Sequence, residues 1–146
     1  MNLSSKTKPT GARGESLPVE IPAAEFKAEV LDSKLPVLVE FWTRWSRPCQ
    51  MFDSVLQELS RELAGKIKIV KVNADDSLEL SLCYEIQSIP TLIYFIAGKP
   101  CVRIVGTASK EAILDKLKTF GLAEQIHSSE NGASGATTPT SKGGLI

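Results

Sequence analysis

Three cysteines, one histidine and seventeen carboxylates are what the chain offers for covalent or metal chemistry. Cys49 has the most informative setting. It closes Trp45-Ser46-Arg47-Pro48-Cys49, which follows the apolar run Val37 to Trp42 and leads into Met51, Phe52, Val55, Leu56, Leu59 and Leu63 at helical spacing. Strand, turn, then helix puts this segment at a helix N-terminus, where aligned peptide dipoles favour an anion and lower the pKa of a thiol. Arg44 and Arg47 bring two guanidinium groups to the same turn. They either add to that positive field and hold an anion, or stand as solvated loop charges.

The other sulfur atoms fit less chemistry. Cys83 and Cys101 form no close pair with Cys49 or with each other, and an odd count gives no disulfide framework. No zinc set is expected, because no close cysteine pair exists and His127 lies near the C-terminal end. Reduced thiols and a cytoplasmic location follow as the default. Cys83 and Cys101 then read as small core residues. Ser46 would be a nucleophile only with a base beside it, and no histidine is near in sequence. As a helix N-cap it is worth about 1 kcal/mol over alanine, and Pro48 suits a first helical turn.

The chain has 146 residues, a length expected for one domain. Seventeen basic residues balance seventeen acidic ones, so no global charge draws it to nucleic acid or to an anionic membrane. No apolar run reaches the roughly 18 residues of a membrane-spanning helix, and the N-terminal residues lack a secretory apolar segment. Residues 1–16 are rich in Ser, Lys, Thr, Pro and Gly, and 123–146 in Ser, Gly, Thr and Ala, so both are expected to be flexible. Between them the pattern predicts an edge strand near Leu17 to Ile21, limited by Pro18 and Pro22, and a short helix over Ala23 to Leu31. Val37 to Trp42 should be a central strand buried on both faces, interrupted only by Glu40. An amphipathic helix over Pro48 to Leu63 follows, then a strand over Ile67 to Val72 and a short helix over Leu78 to Tyr84. Thr91 to Ile96 and Cys101 to Val105 read as a strand pair joined by a turn at Ala97-Gly98-Lys99-Pro100. Ser109 opens a last helix, which Gly121 ends.

Phe41-Trp42, then Trp45-x-x-Pro48-Cys49, then Ile89-Pro90-Thr91, in that order, resembles the thioredoxin family over about residues 17–122. The resemblance implies an α/β thioredoxin fold, a mixed central sheet with helices on both faces, and a monomer. The family motif is Trp-Cys-x-Pro-Cys. Its first cysteine attacks a substrate disulfide as a thiolate and its second resolves the mixed disulfide. Here Ser46 stands at the attacking position and Cys49 at the resolving one. Glu40 matches a buried family acid that takes the resolving thiol's proton, and a buried carboxyl should have a raised pKa. Ile89-Pro90 matches a cis-proline turn, and Gly106 a glycine lining the same groove, where an extended segment pairs with the backbone.

The resemblance therefore implies a thioredoxin-like protein without dithiol redox cycling. It would keep a groove for protein or peptide segments beside Pro90, with at most slow monothiol chemistry at Cys49. The alternative is a protein-disulfide reductase in which serine has been put in place of the attacking cysteine. By the same resemblance a thioredoxin reductase is a possible partner. No cofactor and no metal is expected.

Overall fold

The computed structural model describes residues 17–120. The expectations for residues 1–16 and 123–146, the helix stop at Gly121 and the position of His127 lie outside the described residues. Five strands form one sheet in the order β1-β3-β2-β4-β5. They are β1 (Val19–Glu20), β2 (Val37–Trp42), β3 (Lys68–Asn73), β4 (Thr91–Ile96) and β5 (Lys99–Val105). The first three are mutually parallel, and β4 runs antiparallel to both β2 and β5. Three helices accompany them: α1 (Arg47–Glu62), α2 (Leu78–Cys83) and α3 (Lys110–Thr119).

The side-chain alternation of β2 explains the two layers. Leu38 faces Phe52, Leu56, Leu59 and Leu63 on α1 and Ile113 and Leu117 on α3. Val37, Val39 and Phe41 point the other way, toward Ile21, Phe26, Val30, Leu80 and Tyr84. Burying a side chain of this size contributes roughly 1.5–3 kcal/mol, so the spacing of Phe52, Leu56 and Leu59 is sufficient reason for α1 to lie flat on the sheet. On the opposite layer, Phe26 and Phe95 meet edge-on with ring centroids 5.7 Å apart, and Tyr84 stands edge-on to Phe95 at 5.4 Å.

Several expectations need correction. The segment predicted as one helix over Ala23 to Leu31 is a single 3-10 turn at Ala23–Glu25 followed by a wide π-type turn at Lys27–Leu31. The β4–β5 turn is shorter than the composition suggested. Ala97 and Gly98 alone make it, with φ of 52° and 81°, and Lys99 and Pro100 already pair with Ile96 and Phe95. Positive φ at both central residues matches the right-handed twist of the strands, and Pro100 is tolerated because β5 is an edge strand. Cys83 is not a core residue, whereas Cys101 packs against the core cluster from the edge strand. Cys83 ends α2 and is exposed, while Cys101 is half-buried. The register passes from Phe95–Pro100 to Tyr94–Val102, so Cys101 is the extra residue of a β-bulge and has no partner across the ladder.

Two glycines with positive φ differ in their surroundings. A Cβ at Gly98 would sit 2.8 Å from the Leu31 carbonyl oxygen, whereas one at Gly106 would meet nothing within 4 Å. Left-handed backbone costs about 1–2 kcal/mol for an ordinary residue. We therefore expect Gly106→Ala to lose about that much in urea denaturation, and Gly98→Ala to lose at least about 1 kcal/mol more, from the added clash.

Candidate functional site

The turn between β2 and α1 is built from local hydrogen bonds. Ser46 has extended backbone, and its hydroxyl accepts from the Cys49 N–H at 3.3 Å. This is the N-cap bond expected from serine three residues ahead of an unsatisfied helical donor. Pro48 follows within the first turn, where its missing N–H costs no hydrogen bond. The Gln50 side chain donates to the Arg44 carbonyl at 3.1 Å and holds the loop from the other side. Ser46 is 4% exposed and Cys49 2%. Arg44, Arg47 and Pro48 are exposed. Burial pushes the Cys49 thiol above its ordinary value, against hydrogen bonds with Ser46 and Thr43 that pull it down. That sulfur is thus kept protonated and out of solvent, which are the attributes of an inert thiol.

Trp45 is 69% exposed, yet it is not loose. Its indole N–H donates to Asp75 at 2.8 Å, across to the 3-10 turn Ala74–Asp76 that follows β3. Asn73 caps that turn by accepting from the Asp75 and Asp76 N–H groups.

Glu40 lies in β2 with no exposed surface. Alternation puts it on the same face as Leu38, under α1. Its register partner on the parallel strand β3 is Lys71. Lys71 does not bond to it. The ammonium group pairs with Asp53 of α1 at 3.3 Å and sits 4.4 Å over the Trp42 ring. Both Glu40 carboxyl oxygens are without a hydrogen-bond partner among the described residues. Desolvation raises the Glu40 pKa to about 7, with Lys71 opposing the rise and Asp53 adding to it. Glu40 and Cys49 are close enough for the carboxylate to raise the thiol's pKa in turn.

The β2–β4 register carries Pro90 to the same end of the sheet. Phe41 pairs with Thr91, so Pro90 lies at the edge from which the motif loop departs. The Ile89–Pro90 bond is cis. The Pro90 carbonyl accepts from the Gly106 N–H at 2.8 Å, which joins the turn to the end of β5. Ile89 is half-buried, Pro90 buried, and Val105 beside them 58% exposed.

The structure thus gathers Glu40, Trp45, Ser46, Arg47, Pro48, Cys49, Ile89, Pro90 and Gly106 at one end of the sheet. Sequence reasoning passed over Lys71, Asp53 and Asp75. Asp53 had a signal, since it follows Cys49 by four residues and so shares its helix face. Lys71 and Asp75 had none, because their roles depend on strand register. No group of three or more His, Cys, Asp or Glu able to hold a metal ion occurs among the described residues. No helix there is long and apolar enough to cross a membrane.

A mixed sheet with a cysteine in the first turn of a helix, beside a proline turn, defines the class of thiol–disulfide exchange folds. Comparison with known proteins agrees. Residues 18–119 match the family model described as Thioredoxin. A thioredoxin of Synechocystis sp. is 41% identical over 101 residues, covering 69% of this chain and 94% of that protein. Thioredoxin 1 of Nostoc sp. is 41% identical over 103 residues, 70% of this chain and 96% of the relative. A bifunctional thioredoxin reductase/thioredoxin of Mycobacterium leprae is 39% identical over 111 residues, which are 76% of this chain but 24% of that larger protein. The chain belongs to the thioredoxin family.

The raised Glu40 pKa carries a pH dependence with a definite sign. From its ordinary 4.5 up to about 7, the folded chain retains a proton that the unfolded chain has released. Stability from this group is therefore complete below pH 4.5, falls through that interval and is lost above pH 7. A shift of this size corresponds to about 3 kcal/mol. Glu40→Gln should change stability little at pH 5 and raise it by about 2–3 kcal/mol at pH 8, relative to the parent, in urea titrations. Equal differences at the two pH values would contradict a protonated, buried Glu40.

Proposed function

We propose that this chain is a thioredoxin-fold recognition protein that binds extended protein segments beside Pro90 and does not cycle a dithiol. The observation that carries the reading is the occupation of the attacking position by a serine whose oxygen is committed to the helix cap. Disulfide reduction needs one thiolate to attack and a second thiol to release the product. Ser46 supplies no sulfur. Cys49 is buried and its pKa is raised, so it is a poor nucleophile by itself. A protein disulfide entering the site would meet no group able to open it at a useful rate.

The groove has the parts that strand-like recognition needs. Gly106 adds no side chain, so an incoming backbone can approach the turn at Pro90. Trp45 and Val105 offer exposed apolar surface on either side. Arg44 and Arg47 give the rim a positive character at the start of α1. Glu40 would take a proton from Cys49 only if a mixed disulfide were formed, and in the serine-containing chain it has no such step to serve. In this reading the protein acts as a soluble cytoplasmic monomer. A thioredoxin reductase would be a partner only for a chain with a working dithiol.

The test is turnover of a protein disulfide with a small dithiol as electron source, parent against Ser46→Cys. The parent should show no turnover above the uncatalysed rate. The mutant should gain it, because the helix N-terminus, Arg47, Cys49 and Glu40 are in place around the restored sulfur. Substantial turnover by the parent would overturn the proposal. No gain by the mutant would mean that the surroundings have also lost the chemistry.

A further inference from the structure

Beneath the first turns of α1, two carboxyl groups face one ammonium group. Glu40 of β2 and Lys71 of β3 are register partners on neighbouring parallel strands, so their side chains leave the same face of the sheet. Such strands lie about 4.8 Å apart, a gap that a lysine stem can span. The Lys71 ammonium nevertheless turns to Asp53 on α1, 3.3 Å away, and lies 4.4 Å over the Trp42 ring. Both Glu40 oxygens are buried and bond to nothing among the described residues.

Among the described residues, Lys71 is the one cation set against Glu40. On the other edge of β2 the register partner is Leu92 of β4. Tyr94 shares that face, and desolvation pushes its pKa up to about 12, so it stays neutral. From α1 come the Asp53 carboxylate and Cys49, a thiol that burial keeps protonated. From α3 come Ile113 and Leu117. While Glu40 holds its proton, the lysine therefore has one anion to pair with, and that anion is Asp53. An ionised Glu40 reverses the preference. Its side chain has no exposed surface, whereas that of Asp53 is 46% exposed. A buried carboxylate left unpaired costs far more than one that water can solvate. The attraction between buried charges is also screened less. The ammonium group gains by changing partner, and water takes its place at Asp53.

We propose that Glu40 and Asp53 share Lys71 as a pH-operated switch: the ammonium group pairs with Asp53 over the Trp42 ring while Glu40 is protonated, and crosses to Glu40 when that proton leaves for solvent. Asp53 is the positioning residue, since its hold on the lysine decides how readily the deeper acid ionises. Removing Asp53 acts twice in one direction. It frees the cation, and it takes away a negative charge that favours protonated Glu40. The switch sits one helical turn on from Cys49 and is independent of what binds beside Pro90.

The experiment is an NMR titration of the full, 13C- and 15N-labelled chain from about pH 5 to about pH 9, following the Glu40 carboxyl carbon and the Lys71 Hε protons. At the acidic end the Hε protons should resonate upfield, because the Trp42 ring lies beneath the lysine head. They should return toward their ordinary position through the midpoint at which Glu40 titrates, expected at about 7. A change in Glu40 charge without movement of the lysine would leave that ring-current shift in place. In Glu40→Gln the protons should stay upfield throughout. In Asp53→Asn the Glu40 midpoint should fall by about one unit, the low end for a carboxylate gaining a cation, and Asp53→Glu should restore it. Hε protons that remain upfield while Glu40 titrates would overturn the switch, and the parent chain alone decides this if a variant does not fold. An unchanged Glu40 midpoint in an Asp53→Asn chain with a parent-like amide spectrum would overturn the role of Asp53.

Discussion

Strand β2 is hydrogen-bonded along both edges and covered on both faces, and the rest of the molecule is arranged by that double burial. Val37, Val39 and Phe41 have no exposed surface on one side, and Leu38 and Glu40 have essentially none on the other. A strand in this position cannot shift register by one residue without moving its apolar set to the wrong layer. The end of β2 is therefore the most firmly placed point in the chain. The motif loop leaves from that point. Thr91 is fixed beside it by the antiparallel ladder, and Asn73 by the parallel one. A site assembled from three chain segments gains its precision from one strand.

Within that frame, the atom type at position 46 decides what caps the helix N-terminus. Oxygen at position 46 is a good acceptor for a backbone N–H and a poor nucleophile at neutral pH. The Ser46 hydroxyl accordingly caps α1. The helix dipole, which favours negative charge at this end, then acts on a neutral hydroxyl and on two exposed arginines. Cys49 remains in the first turn as a small buried side chain, between the cap above and Glu40 below.

The electrostatics beneath α1 follow from competition for one lysine. Lys71 is the only cation that the register sets beside Glu40. Asp53 descends from the helix and pairs with it, and the Trp42 ring lies under the ammonium group. Glu40 is left with the Coulombic field of a lysine but no hydrogen bond to it, so desolvation prevails and the carboxyl stays neutral into the range near pH 7. Removing the pairing aspartate would free that lysine for the deeper acid. The charge state of Glu40 thus depends on a residue of the overlying helix as much as on its own burial.

Much of this was legible in the chain. The apolar run Val37 to Trp42, interrupted only by Glu40, the helical spacing after Pro48 and the serine ahead of Cys49 determined the central strand, the covering helix and its cap, because each depends on periodicity or on a bond three residues long. The motif order around Trp45, Cys49 and Pro90 carried the family. Elements set by distant contacts were not legible. The Ala23 to Leu31 segment has helical spacing but winds as a 3-10 and then a π turn. Cys101 is a strand residue packed against the core, as its pattern suggested, but it fills a bulge that the pattern did not show, because the register slips between Tyr94 and Phe95. The Lys71–Asp53 pair and the Trp45–Asp75 bond depend on which strands become neighbours. Local pattern determines what each segment forms. Tertiary structure alone decides which buried polar group finds a partner, since that partner comes from a part of the chain that the pattern does not address.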